Sequence, residues 1–230
     1  MRPGSSVRFV GPPGWRRIPP VTRAILVATA AGYLATLFLD ASILVLAPAE
    51  VFSGQVWRLV TYPLVNVRIL TVLFDLLLLW SFGSEMEPRW GSRRFTVVLL
   101  SATVLAGLVG VLAARLFPGS FFGSGSGFSP TLTALIVAWT LVGPRLPTSF
   151  FGIVPMSRMG FAAIALILIV FGEVEATRSF PRLLFVLGGI PVAFFFERSG
   201  SGPRMQLPRL RMPWRRRRFQ VVSRENERVH

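Results

Sequence analysis

The chain has 230 residues, of which 52% are hydrophobic and only 15% charged, and its mean hydropathy is +0.60. This composition is too apolar for a soluble domain of that length. There is no cysteine or lysine, and the single histidine is the last residue, which excludes disulfides, thiol catalysis, Schiff-base lysines and multi-histidine metal sites. We therefore expect no cofactor. All 25 basic residues are arginine, and the net charge of +15 indicates a membrane protein whose charge lies outside the bilayer.

Six apolar stretches predict an all-α polytopic membrane protein, a bundle of six spans. They cover residues 24–39, 69–82, 95–114, 130–142, 159–171 and 183–196. Five of the six contain 13 to 16 residues, or about 20 to 24 Å of helix, whereas the hydrocarbon core is about 30 Å thick. We therefore expect the helices to extend into the flanking loops, or the bilayer to be thinned around them.

The positions of the arginines predict the orientation and the domain organisation. Twenty of the 25 fall in the N-terminal segment, the second-to-third loop, the fourth-to-fifth loop and the C-terminal tail. The positive-inside rule then predicts that both termini are cytoplasmic, and we expect a bacterial inner-membrane protein.

We expect three parts along the chain: a basic segment (1–21), a membrane domain (22–197) and a disordered Arg-rich tail (198–230). We expect membrane lipids as partners and no nucleic acid, with an anionic-lipid-binding run at Arg215, Arg216, Arg217 and Arg218.

The first interhelical loop, residues 40–68, is half apolar and is expected to lie in the membrane interface. Within it, Trp57 and Arg58 place an amphipathic ring beside a guanidinium, which is typical of a structural anchor at headgroup depth. Glu85 and Glu87, which are close to Arg89, Arg93 and Arg94 in sequence, are expected to form a solvated or interfacial ion cluster.

Asp75 is the only acidic residue within the six apolar stretches. An acid at membrane depth is costly unless it faces the bundle interior or water. We expect either a protonated Asp75 that is hydrogen-bonded to a neighbour such as Thr71, or an Asp75 paired with an arginine.

Several motifs occur in a characteristic order. Gly54-Gln55-Val56-Trp57-Arg58-Leu59-Val60-Thr61 lies in the first loop, and Gly91-Ser92-Arg93-Arg94-Phe95 follows the second span. Further along come Gly127-Phe128-Ser129-Pro130 and Leu187-Gly188-Gly189. Together they resemble the conserved stretches of rhomboid intramembrane serine proteases. The resemblance implies a six-span rhomboid-like fold over roughly residues 38–197.

The same resemblance implies which residues occupy the family's catalytic positions. The nucleophile corresponds to Ser129, with Ser124 and Ser126 as alternative serines in a Gly/Ser loop. The last-span catalytic histidine corresponds to Val186, and the glycine after the nucleophile to Pro130. The oxyanion donors of the second span correspond to Thr71 and Asp75. No span contains a histidine or a lysine that could take the proton of Ser129. Because proline suits the first turn of a helix, we expect Ser129 to act as the N-terminal cap of a helix that begins at Pro130.

Three functions remain open from the sequence. A catalytically inactive rhomboid-like protein, which binds transmembrane segments of client proteins or perturbs the local bilayer, accounts for both the match and the replaced residues. An active rhomboid-type peptidase would use Ser129 with an unusual base or with a histidine from another protein. A small transporter or channel would place Asp75 in a polar path.

Overall fold

A computed structural model of the chain describes residues 18–40, 42–66, 68–117, 124–142, 147–150, 154–177 and 179–198. Within these ranges the fold is mostly helical, with one antiparallel hairpin. The helices are α1 (Pro20–Phe38), α2 (Pro48–Phe52), α3 (Arg58–Thr61), α4 (Ile69–Trp90), α5 (Ser92–Leu116), α6 (Ser129–Val142), α7 (Arg158–Thr177), α8 (Phe180–Leu187) and α9 (Ile190–Arg198). A 3-10 turn (Tyr62–Leu64) follows α3, and β1 (Pro147–Phe150) pairs with β2 (Val154–Ser157) between α6 and α7.

Helices α4, α5 and α7 extend beyond the apolar stretches that they contain, as expected, whereas α1 ends one residue before the end of its stretch and α6 adds only one residue. Among the described residues, α1, α4 and α5 are long and apolar enough to cross a membrane. The apolar helix α6 has only 14 residues. The last predicted span is divided into α8 and α9. The count of six spans stays a prediction.

Helix α6 is at the centre of the bundle. Ten of its 14 residues are buried, whereas only three of the 19 residues of α1 are. It packs against α4, α5, α7, α8 and α9, and its Leu132, Leu135 and Trp139 belong to the main hydrophobic core. Because its side chains are surrounded by protein on most sides, polar groups on α6 must find partners within the fold.

The division between α8 and α9 occurs at Gly188 and Gly189, where the chain passes very close to two other helices. A Cβ on Gly188 would lie 2.9 Å from the Cβ of Val109 on α5. A Cβ on Gly189 would lie 3.1 Å from the carbonyl oxygen of Pro130 on α6. Only residues without a side chain allow this approach, which is the usual role of small residues between membrane helices.

The expectation that Glu85 and Glu87 form a solvated or interfacial ion cluster is wrong for Glu87, which is only 1% exposed. Its carboxylate accepts hydrogen bonds from the backbone N–H groups of Val21 (3.0 Å) and Thr22 (2.7 Å), and from the hydroxyls of Thr22 and Ser92. Free N–H groups at the start of a helix require acceptors. Glu87 therefore provides a cap for α1 from another helix.

Glu85 belongs to a separate cluster. It accepts hydrogen bonds from Arg89 (2.5 Å), from Arg158 and from the indole N–H of Trp139 (2.7 Å). The Arg158 guanidinium also lies over the Trp139 ring, 4.7 Å from its centroid. These contacts join the ends of α4, α6 and α7.

Candidate active site

Ser129 is the first residue of α6, and the preceding loop positions it. Leu46 and Gly125 form an isolated β-bridge that ties this loop to the first interhelical loop. Gly127 has a φ of +91°, which favours glycine, and its N–H donates to the carbonyl oxygens of Tyr62 and Val65. Ser129 itself is only 4% exposed. The backbone geometry thus fixes a buried hydroxyl at the start of the central helix.

The hydroxyl of Ser129 donates to an acid that the sequence analysis did not assign to the site. Its Oγ lies 2.9 Å from Oε1 of Glu173 on α7. The second oxygen of the same carboxylate, Oε2, accepts from Nε of Arg182 on α8 at 2.9 Å. Arg182 also donates to the carbonyl oxygen of Ser124 at 2.7 Å. A serine, a glutamate and an arginine therefore form one connected, largely buried network.

This network adds an acid that lies beyond the apolar stretches. Helix α7 extends past its apolar stretch and includes Glu173. The hydroxyl of Ser129 donates to this carboxylate, so an ionisable group lies within hydrogen-bond distance of the serine. The role of Ser129 as a helix cap stays a prediction, because a hydroxyl that donates one hydrogen bond can still accept another.

Asp75 faces the interior at 4% exposure, but its partners differ from the expected ones. Its Oδ2 accepts from the side-chain amide of Asn66 and from the backbone N–H of Phe128, both at 3.1 Å. The carboxylate thus holds the residue that immediately precedes Ser129, instead of bonding to Thr71 or to Ser129 itself.

The remaining family positions are apolar or peripheral. Val186, at the position of the family's histidine, is fully buried in a second cluster with Leu46, Tyr62 and Phe185. Thr71 is half-buried on α4. Pro130 has no backbone N–H with which to stabilise an oxyanion. Among the described residues no group of three or more metal-binding side chains occurs.

In the first loop, Arg58 has the anchoring contacts. Its guanidinium donates to the side chain of Gln55 (2.8 Å) and to the carbonyl oxygens of Ser42 (2.5 Å) and Val45 (2.7 Å), and the residue is 6% exposed. Trp57 is 47% exposed. The two neighbours therefore point in different directions, with Arg58 holding the loop together and Trp57 on its surface. The basic run at 215–218 lies outside the described residues.

Comparisons with known proteins identify the family to which the fold belongs. A family profile for the rhomboid domain matches residues 53–194, more than half of the chain. The chain is 33% identical over 113 residues to rhomboid protease GlpG of Photorhabdus laumondii subsp. laumondii, a match covering 49% of this chain and 37% of that protein. Rhomboid protease GlpG of Yersinia pestis (strain Pestoides F) is 31% identical over 113 residues, covering 49% of this chain and 38% of that protein. The match thus spans little more than a third of the length of these relatives.

The apolar helices, the ordered motifs and the profile lead to one conclusion: the chain is an integral membrane protein of the rhomboid family.

Proposed function

We propose that this rhomboid-family protein does not cleave peptide bonds and that it binds transmembrane segments of other membrane proteins. The observation that supports this most strongly is the Ser129–Glu173–Arg182 network. The hydroxyl at the nucleophile position is engaged by a carboxylate that is itself held in an ion pair. In this proposal Ser129 is a structural residue, and Thr71, Asp75 and Val186 are the remains of a catalytic site.

The chemistry of the network argues against catalysis. In a serine protease a neutral base takes the hydroxyl proton and later gives it to the leaving group. Here the only adjacent base among the described residues is Glu173, whose other oxygen binds Arg182. Both oxygens of this carboxylate are already engaged in a largely buried site, one by the Ser129 hydroxyl and the other by Arg182. Glu173 is therefore better suited to holding three helices together than to accepting a proton.

Stabilisation of an oxyanion is also disfavoured. A tetrahedral intermediate needs hydrogen-bond donors directed at its developing negative charge. Asp75 and Glu173 instead place two carboxyl groups near Ser129, and the N–H of Phe128 already donates to Asp75. Pro130 contributes no N–H. The described side-chain donors around Ser129, those of Asn66 and Arg182, are already bonded to these two carboxyl groups.

Binding of client segments is favoured over perturbation of the bilayer by the lengths of the exposed helices. α1, α4 and α5 have 19, 22 and 25 residues, or about 28 to 38 Å of helix at about 1.5 Å per residue. They match a hydrocarbon core of about 30 Å. The short helix α6 is buried inside the bundle and imposes no mismatch on the lipid. A protease must bind its substrate before cleaving it, so a fold that resembles rhomboid proteases can keep the binding step alone.

Co-reconstitution tests this proposal. The purified chain and fluorescently labelled single-span peptides would be placed in liposomes, with energy transfer reporting association and gels reporting cleavage. The GlpG relative from Photorhabdus laumondii serves as the positive control for cleavage. We expect association without cleavage products, unchanged in Ser129→Ala. Product that disappears in Ser129→Ala, or association no greater than with an unrelated membrane protein, would contradict the proposal.

An active serine peptidase is the second candidate, because Glu173 lies 2.9 Å from the Ser129 hydroxyl. In that case Glu173 would be the base and Arg182 would orient it. Cleavage lost in both Ser129→Ala and Glu173→Gln would establish this alternative. For the third possibility, a transporter or channel, Asp75 offers little support, since its carboxylate is engaged by Asn66 and Phe128.

A further inference from the structure

A pocket separate from the candidate active site opens where α4 ends, α5 begins and α9 ends. Its volume is about 440 Å³. Trp90, Val97 and Phe196 form apolar walls, and Arg93 and Arg94 line the same space. It lies at the turn between two membrane-crossing helices, the level at which tryptophan and arginine meet lipid headgroups. Under the predicted topology this is the cytoplasmic side.

Among the described residues, neither arginine of the pocket forms an ion pair within 4 Å of a carboxylate oxygen. The ion pairs found there involve Arg89, Arg158 and Arg182. Arg93 is exposed. Arg94 donates to the carbonyl oxygen of Phe196 at 2.8 Å, and its guanidinium lies 5.8 and 6.0 Å from the ring centroids of Trp90 and Phe196. Glu197 is near enough to interact electrostatically with Arg94. The residues that line the pocket include these two arginines and no acid, so the excess of positive charge is in the lining itself. Glu87 is bonded to the lining residue Ser92, but it also accepts from the backbone N–H groups at the start of α1.

The surface next to the pocket is apolar along one face of α5. Arg93, Val97 and Leu100 follow each other at spacings of four and three residues, so they lie on the same helix face. Val97 and Leu100 are 45% and 47% exposed. A molecule with its anionic end at Arg93 would therefore have an apolar track directed toward the centre of the bilayer.

We propose that this pocket binds one anionic phospholipid. Its phosphate would contact the guanidinium of Arg93, with Arg94 adding positive charge nearby, while the glycerol backbone and the start of an acyl chain would lie between Val97 and Phe196. A soluble anion would use the arginines but not the apolar walls, and a zwitterionic lipid would use the walls but not the excess charge. An anionic phospholipid is complementary to both features.

Native mass spectrometry of the full chain in detergent tests this site. Phosphatidylglycerol or phosphatidylcholine would be added to wild type, to Arg93→Gln and to Arg115→Gln. Arg115 is exposed at the opposite end of the same helix, so it is the matched control. All three proteins carry the same basic tail, so any lipid that the tail binds does not affect the comparison between them. We expect one tightly retained phosphatidylglycerol in wild type and Arg115→Gln, and about fivefold weaker retention in Arg93→Gln, the effect of about one interfacial arginine.

A second pair of variants tests the apolar wall. Val97→Trp fills the pocket and is expected to reduce retention, whereas Leu112→Trp, exposed elsewhere on α5, leaves it unchanged. Three outcomes would overturn the proposal. They are equal losses in Arg93→Gln and Arg115→Gln, equal retention of phosphatidylcholine, and displacement of the lipid by millimolar inorganic phosphate, which would indicate a small-anion site.

Discussion

At the residue scale, Asp75 joins the segment before Ser129 to α4. Its carboxyl group accepts hydrogen bonds from Asn66 and from the N–H of Phe128. We expect Asp75→Asn to be tolerated, because the amide oxygen can still accept from Phe128. We expect Asp75→Leu to lower the free energy of unfolding by about 1 to 3 kcal/mol, because two buried donors lose their acceptor. Thermal unfolding in detergent measures both.

The two variants also distinguish hydrogen bonding by Asp75 from the alternative explanations of its role. Equal losses in Asp75→Asn and Asp75→Leu would mean that the charge matters more than the hydrogen bonds. No loss in either variant would mean that the hydrogen bonds to Asn66 and Phe128 contribute nothing to stability.

Sequence reasoning predicted that Ser129 and Asp75 lie in the interior, but it did not identify their partners. The order of the motifs predicts that Ser129 occupies the nucleophile position. The cost of an acid in a membrane predicts that Asp75 faces the bundle interior or water. Glu173 lies 44 residues beyond Ser129 and two residues past its apolar stretch. Its contact with Ser129 depends on how α7 and α8 pack against α6, which no local pattern encodes.

At the element scale, α1 is attached to the bundle through Glu87. Because this one carboxylate accepts from the first turn of α1 and from Ser92, its removal leaves several buried donors unpaired. We expect Glu87→Ala to destabilise the protein by roughly 1.5 to 3 kcal/mol. Glu50→Ala is the control, since Glu50 accepts from the side chain of Gln55 within the first loop. Equal losses in the two variants would contradict the capping role.

The approach of the α8–α9 break to α5 gives a second prediction at this scale. Gly188→Ala would place a Cβ 2.9 Å from Val109 and 3.1 Å from the Cα of Ala106. We expect a loss of about 1 to 3 kcal/mol from overpacking. Gly172→Ala on α7 is the matched control, because its Cβ would meet no atom within 4 Å. If both variants unfold at the wild-type temperature, the close packing is not as described.

Apolar runs predicted the positions of these helices better than their ends. Helix α4 continues for eight residues beyond the apolar stretch that ends at Phe82. Those residues include Glu85 and Glu87, whose charges would ordinarily indicate solvent. The carboxylate of Glu85 accepts hydrogen bonds from Arg158 and Trp139, and that of Glu87 accepts from the start of α1. These partners are far away in sequence, so a short sequence segment around the two acids does not reveal them.

At the scale of the whole molecule, the arginine asymmetry predicts that both termini are on the cytoplasmic side. Reporter fusions after residues 117 and 142, and at the C-terminus, test this topology. We expect the fusion after 117 to report the periplasm and the other two the cytoplasm. A periplasmic C-terminus would contradict the prediction that both termini are cytoplasmic.

In our proposal the rhomboid fold of this chain surrounds a serine that is held in a structural network instead of a catalytic one. Labelling with a fluorophosphonate probe tests this proposal most directly, since the probe reacts with an activated serine hydroxyl. The folded, detergent-solubilised protein would be compared with Ser129→Ala and Glu173→Gln, with the Photorhabdus laumondii relative as positive control. We predict no labelling of wild type above Ser129→Ala. Labelling that disappears in both Ser129→Ala and Glu173→Gln would contradict the claim and identify Glu173 as a working base.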